Sequence, residues 1–110
     1  MHPATRLQQL SAPRQYLVRL CQLINFGRIE DLELRRGEPV FSPAPQVFID
    51  VRLDLEDVAR PEQGLPDFAI PEEMRRLLAR LDAIQDGNIE RIEVRAGIPR
   101  RLIVEFEERP

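Results

Sequence analysis

Residues 27–39 read GRIEDLELRRGEP, and residues 87–99 read GNIERIEVRAGIP. Seven of these thirteen positions are identical without a gap: Gly27/Gly87, Ile29/Ile89, Glu30/Glu90, Glu33/Glu93, Arg35/Arg95, Gly37/Gly97 and Pro39/Pro99. Leu32/Ile92 and Leu34/Val94 are conservative. At a background of roughly 6% per position, chance supplies about one identity. The match runs upstream through Leu17/Leu77, Cys21/Leu81 and Ile24/Ile84. An offset of sixty residues therefore predicts a duplicated structural unit.

Each unit opens with a helical pattern. Leu17, Leu20, Cys21 and Ile24 fall on one helical face, with Pro13 in the first turn after Ser11 or Ala12. Met74, Leu77, Leu78, Leu81 and Ile84 form the second stripe. Pro71 starts it, and Glu72 and Glu73 suit the positive end of its dipole. Gly27 and Gly87 are expected to stop the two helices. Strands follow, with Leu32 and Leu34, then Ile92 and Val94, alternating against charged neighbours. The three-residue step from Ile29 to Leu32, repeated from Ile89 to Ile92, predicts a bulge in each strand. Gly37 and Gly97 predict three-residue hairpins. In the second unit Leu102, Val104 and Phe106 return at once, against Arg101, Ile103, Glu105 and Glu107. In the first unit Phe41–Pro45 delays the return. There Val47, Ile49, Val51 and Leu53 are expected to face one way and Phe48, Asp50 and Arg52 the other.

The expected boundaries are one domain over 1–110, with unit one at 13–54, a linker at 55–70 and unit two at 71–109. Leu65, Phe68 and Ile70 pin the linker to the body, while Leu7 and Leu10 either form a short turn or fray. One helix over one hairpin is too small a core to stand alone. The fold class is therefore α+β: two tandem α-β-β repeats forming a four-stranded, mainly antiparallel sheet with both helices on one face. Pseudo-twofold symmetry is expected; strand order is not readable.

Composition narrows the functional classes. The chain has 110 residues, 43% of them hydrophobic and 32% charged, with a net charge of −3. All 16 basic residues are arginine, set against 19 acids, so the overall balance is not that of a dedicated nucleic-acid binder. No apolar run reaches the roughly 20 residues of a membrane span, and no signal-peptide pattern follows Met1. A cytoplasmic location and no membrane partner are the resulting expectations. A single cysteine excludes an intrachain disulfide.

The helix leading into Ile24-Asn25-Phe26-Gly27, then a polar–apolar strand, the Gly37 turn and a second strand, resembles the YezD-like small bacterial proteins of unknown function. Those are about one unit long, so this chain looks like a tandem version. Its second unit has Asp86 in place of the aromatic, and the turns Arg36-Gly37 and Ala96-Gly97 lack the usual Asn or Asp. The resemblance implies a fold and a bacterial source and transfers no activity.

Catalytic constellations are scarce. His2 is the only imidazole, and Ser11 and Ser42 are the only serines, so a hydrolytic triad is not expected. Cys21 sits on the apolar stripe and reads as a small buried hydrophobe. Glu30 with Glu90, or Glu33 with Glu93, could share a proton across the symmetry axis, but Glu–Arg ladders are the commoner finish for an open sheet face. The glycines are too scattered for a phosphate loop. No metal, cofactor or enzymatic activity is expected. The candidate interaction residues are Arg35 and Arg36 at one hairpin, Arg95, Arg100 and Arg101 at the other, and Phe48 and Ile103 on the outer sheet face. They support binding to another protein, or to a second copy, through the sheet face or an edge strand. The first rival is nucleic acid held by the arginine-tipped hairpins. The second is a small-ligand or enzymatic site in the groove between the two helices.

Overall fold

Ser11 and Pro13 open the first helix as their chemistry requires. The Ser11 hydroxyl accepts from the Arg14 N–H at 3.4 Å, and α1 spans Ala12–Ile24. The second helix, α2, spans Glu72–Ile84, with Pro71 before it and both glutamates in its first turn. The computed structural model describes residues 5–54 and 64–105. His2, residues 55–63 of the linker, Phe106 and Glu107 lie outside the described residues.

Both helices end before the glycines. Asn25 and Gln85 carry φ of 62° and 65°, and the N–H groups of Phe26 and Asp86 donate to Ile24 O and Ile84 O at 2.7 and 2.8 Å. These are γ-turns with a positive-φ centre, a rare and strained conformation. The expectation that Gly27 and Gly87 stop the helices is thus corrected: the turn lies two residues earlier, and the glycines open the strands.

The strands are β1 (Gly27–Arg35), β2 (Glu38–Val40), β3 (Gln46–Ile49), β4 (Gly87–Arg95) and β5 (Ile98–Val104). They form one antiparallel sheet in the order β2-β1-β4-β5, with β3 also on β1. The fifth strand is a second correction. Pro43 and Pro45 have no N–H for a ladder, so the first return strand breaks into β2, opposite residues 33–35, and β3, opposite residues 27–30. The hairpins are also tighter than expected. Arg35 faces Glu38 and Arg95 faces Ile98, which leaves two-residue loops with positive φ at Arg36-Gly37 and Ala96-Gly97. Two positive-φ residues match the right-handed twist of the flanking strands.

At the centre, β1 and β4 pair from Gly27 opposite Val94 to Leu34 opposite Gly87. The ladder skips Asp31, which has φ of 58°, and β4 slips against β5 between Ile89 and Arg91. Those are the bulges the three-residue steps predict. The hairpin turns then reach across. Gly37 N–H donates to Gln85 O at 2.7 Å, and Gly97 N–H donates to Asn25 O at 2.8 Å. Each turn thereby satisfies a carbonyl at the end of the other helix.

Ile29, Leu32, Leu34, Ile89, Ile92 and Val94 meet Leu17, Val18, Cys21, Ile24, Met74, Leu77, Leu78 and Leu81 in one buried cluster. Leu20 and Ile84 pack at its margin. Leu7 and Leu10 are buried around a single 3₁₀ turn, so that segment is anchored. Of the linker residues expected to pin it, Phe68 and Ile70 join the core, whereas Leu65 stays exposed. No helix is long and apolar enough to cross a membrane among the described residues.

Candidate functional site

The sheet face turned away from the helices is a charge ladder. Glu30 accepts Arg28 at 2.7 Å and lies 3.3 Å from Arg91, which also approaches Glu93 at 3.8 Å. Arg28 stacks its guanidinium 4.1 Å from the Phe48 ring centroid. The register sets Glu30 opposite Arg91 and Glu33 opposite Asn88. The shared-proton pairs Glu30/Glu90 and Glu33/Glu93 are therefore not assembled. Glu30 is engaged by Arg28 and Arg91 instead, and Glu93 by Arg91.

The candidate arginines divide between two ends of the sheet. Antiparallel pairing of β1 and β4 places the Arg36-Gly37 turn beside Gln85 and the Ala96-Gly97 turn beside Asn25. A nine-residue strand separates them by roughly 30 Å. Arg35 is held 2.7 Å from Glu33, Arg100 bonds Glu73 at 2.7 Å, and the Arg36 N–H donates to Asp86. Arg101 stands opposite Glu93, and Arg95 ends β4 in solvent. Ile103 is half-buried opposite Arg91, and Phe48 is half-exposed opposite Arg28. The structure does not bring these seven residues to one place.

The cavities are equally informative. Between the helices, the space lined by Val18, Gln22, Phe68 and Met74 amounts to 10 Å³. That is about the limit for one water. Phe68 is among the side chains that line it. A larger groove of 610 Å³ lies between α2 and β5, with Leu77, Ile84 and Leu102 among its lining and Arg76, Arg80 and Arg100 at its rim. Glu72 and Glu73 already pair with Arg76 and Arg100 there. Cys21 is fully enclosed, and burial pushes its thiol up to about 12, which removes the thiolate a nucleophile needs. No group of three or more metal-ligating side chains converges among the described residues.

The distinctive surface is an apolar edge. Ten large hydrophobic side chains stand exposed among the described residues, and eight of them fall within residues 16–26 and 47–53. They are Tyr16, Leu23 and Phe26 from α1 and its exit, and Val47, Phe48, Ile49, Val51 and Leu53 from β3 and its continuation. Such a concentration in two neighbouring segments suits a contact site better than scattered exposure does. The expected alternation of 47–53 is present, because Val47 opposes buried Ile29 and Phe48 opposes Arg28. Its inward row is not buried, however: Ile49 is 53% and Leu53 97% exposed. α1 lies over β2 more than over β3, and β1 begins only at Gly27, opposite Ile49. Asp50 still bonds to Phe26, and residues 51–53 run past the end of their neighbour.

The same helix positions differ sixty residues on. Tyr16, Leu20, Leu23 and Phe26 correspond to Arg76, Arg80, Ala83 and Asp86. That substitution widens the apolar arc of α1 toward β3 and was the sequence signal available for this surface. The two sheet edges differ likewise. β5 carries Pro99, Arg100 and Arg101, ordinary guards against strand addition, whereas β3 reads Gln46-Val47-Phe48-Ile49. Comparison of the chain with protein-family models, with curated proteins and with solved structures gives no match in any of the three.

Proposed function

We propose that this chain is a small non-enzymatic protein-interaction module that engages its partner through the edge formed by β3 and the outer flank of α1. The observation that carries the reading is the concentration of exposed apolar side chains on an unguarded edge strand. An edge strand offers main-chain donors and acceptors, and alternate side chains beside it supply apolar contact. The reading includes a tandem α-β-β architecture akin to the YezD-like proteins. Its support is the sixty-residue spacing of both helices and both central strands, with the reciprocal turn bonds. Under this reading the apolar half binds and the charged half keeps the other edge solvated. The nucleic-acid alternative is disfavoured because the hairpin arginines sit at opposite ends and several are engaged by glutamates.

Site-specific photo-crosslinking tests the proposal. A photoreactive residue at Ile49 should give protein adducts of discrete mass, suppressed by Val47→Lys, while one at Arg95 should give none. Equal labelling from both positions, or none from Ile49, sinks it.

A further inference from the structure

We infer that the occupant of this edge is a second copy of the same chain, paired through residues 49–53, the end of β3 and its continuation, about a twofold axis through Val51. The inference rests on the edge reading above and adds its partner and register.

Main-chain direction comes first. The Asp50 N–H donates to Phe26 O at 2.7 Å, continuing the ladder in which Phe48 opposes Arg28. Residues 48 and 50 thus turn their backbone groups toward β1. Alternation sends those of Val47, Ile49 and Val51 the other way, where no strand lies among the described residues. An added strand must bond to these outward groups, and in a symmetric pair outward residues must meet outward residues.

Charge then selects among the permitted registers. The segment Ile49-Asp50-Val51-Arg52-Leu53 alternates apolar with charged residues of opposite sign. With Val51 on the axis, Asp50 faces the partner's Arg52, and Arg52 faces the partner's Asp50. Ile49 then faces the partner's Leu53, and the two Val51 side chains meet each other. With Asp50 on the axis, two carboxylates would collide, which is destabilising for directly opposed like charges. The strand is its own complement in one register, as an isologous contact requires. Arg52 also holds Asp54, two residues on, at 3.1 Å. The exposed apolar row, with Leu53 at 97% exposure, gains apolar neighbours from the partner in this register.

Sedimentation velocity on the full chain across a concentration series tests this. The unaltered chain should dimerise reversibly. Asp50→Arg and Arg52→Asp should each weaken the dimer by about tenfold, because the twofold axis doubles every opposed pair. The double variant should restore affinity to near the starting value. A chain that stays monomeric throughout overturns the inference, as does a dimer that the paired reversal does not rescue. If that monomer still crosslinks from Ile49 to a different protein, the edge reading survives and only the second copy is lost. If it crosslinks to nothing, both fall.

Discussion

Alanine at Gly27 and at Gly87, introduced one at a time, separates the worth of the β3 pairing from backbone strain. The two glycines have matching conformations, with φ of 158° and 151°, so conformational strain and unfolded-state entropy largely cancel between the variants. Their surroundings differ. A Cβ on Gly87 meets only Ile84 Cγ2 at 3.8 Å, an ordinary contact. A Cβ on Gly27 overlaps the Phe48 carbonyl oxygen and lies 2.9 Å from Ile24 Cγ2. That oxygen must retreat beyond the roughly 3.3 Å of a close C···O approach, and it carries the β3 backbone with it. Two or three ladder bonds are then lost, each worth about 0.5–1.5 kcal/mol. Gly27→Ala should therefore cost about 1–4 kcal/mol more than Gly87→Ala, read as a lower urea midpoint at similar slope. Amide exchange localises the damage, since the Asp50 N–H should lose protection while the β4–β5 ladder keeps it. Equal midpoints for the two variants, or an Asp50 amide as protected as before, would refute the account of β3.

Two further outcomes follow from titratable groups. Burial holds the Cys21 thiol near 12, above the ordinary value of about 8.5, so folding favours its protonated form. The associated stability is complete below the ordinary value and is lost as pH rises through the alkaline range. At pH 8 a thiol-specific disulfide reagent should label the denatured chain quickly and the native chain only through opening; rapid native labelling contradicts the enclosure. Asp67 accepts Arg6 Nε at 2.8 Å and the Gln8 N–H at 3.0 Å, and these hold its carboxyl below the usual carboxylate range. Its contribution is present above that range and disappears as pH falls through the lowered value. Asp67→Asn should lower stability at neutral pH and flatten the acid dependence, read from denaturation midpoints at pH 7 and pH 3.

What the sequence made legible was whatever depends on local chemistry. Ser11, Pro13, Pro71 and the two glutamates after it sit where helix starts require. The Ile29-to-Leu32 step foretold a bulge because side-chain alternation cannot skip without one. The Glu–Arg ladder followed from the same alternation. What escaped depends on where neighbours end. Val47, Ile49, Val51 and Leu53 have an impeccable inward pattern, but burial needs a covering helix and a strand alongside, and both stop short. The hairpin loops are one residue shorter than their glycines imply because Arg36 and Ala96 adopt positive φ, which their side chains do not advertise. The arginines of the two turns, at 35–36 and at 95–101, fall at opposite ends, since antiparallel pairing of the central strands carries one hairpin away from the other.

The crossed bonds from Gly37 to Gln85 and from Gly97 to Asn25 bear on how the chain acquires its shape. The carbonyl just past each helix is met by the turn that follows the other helix's strand. Severed between the halves, the polypeptide would yield two incomplete pieces, each carrying the missing stopper of the other.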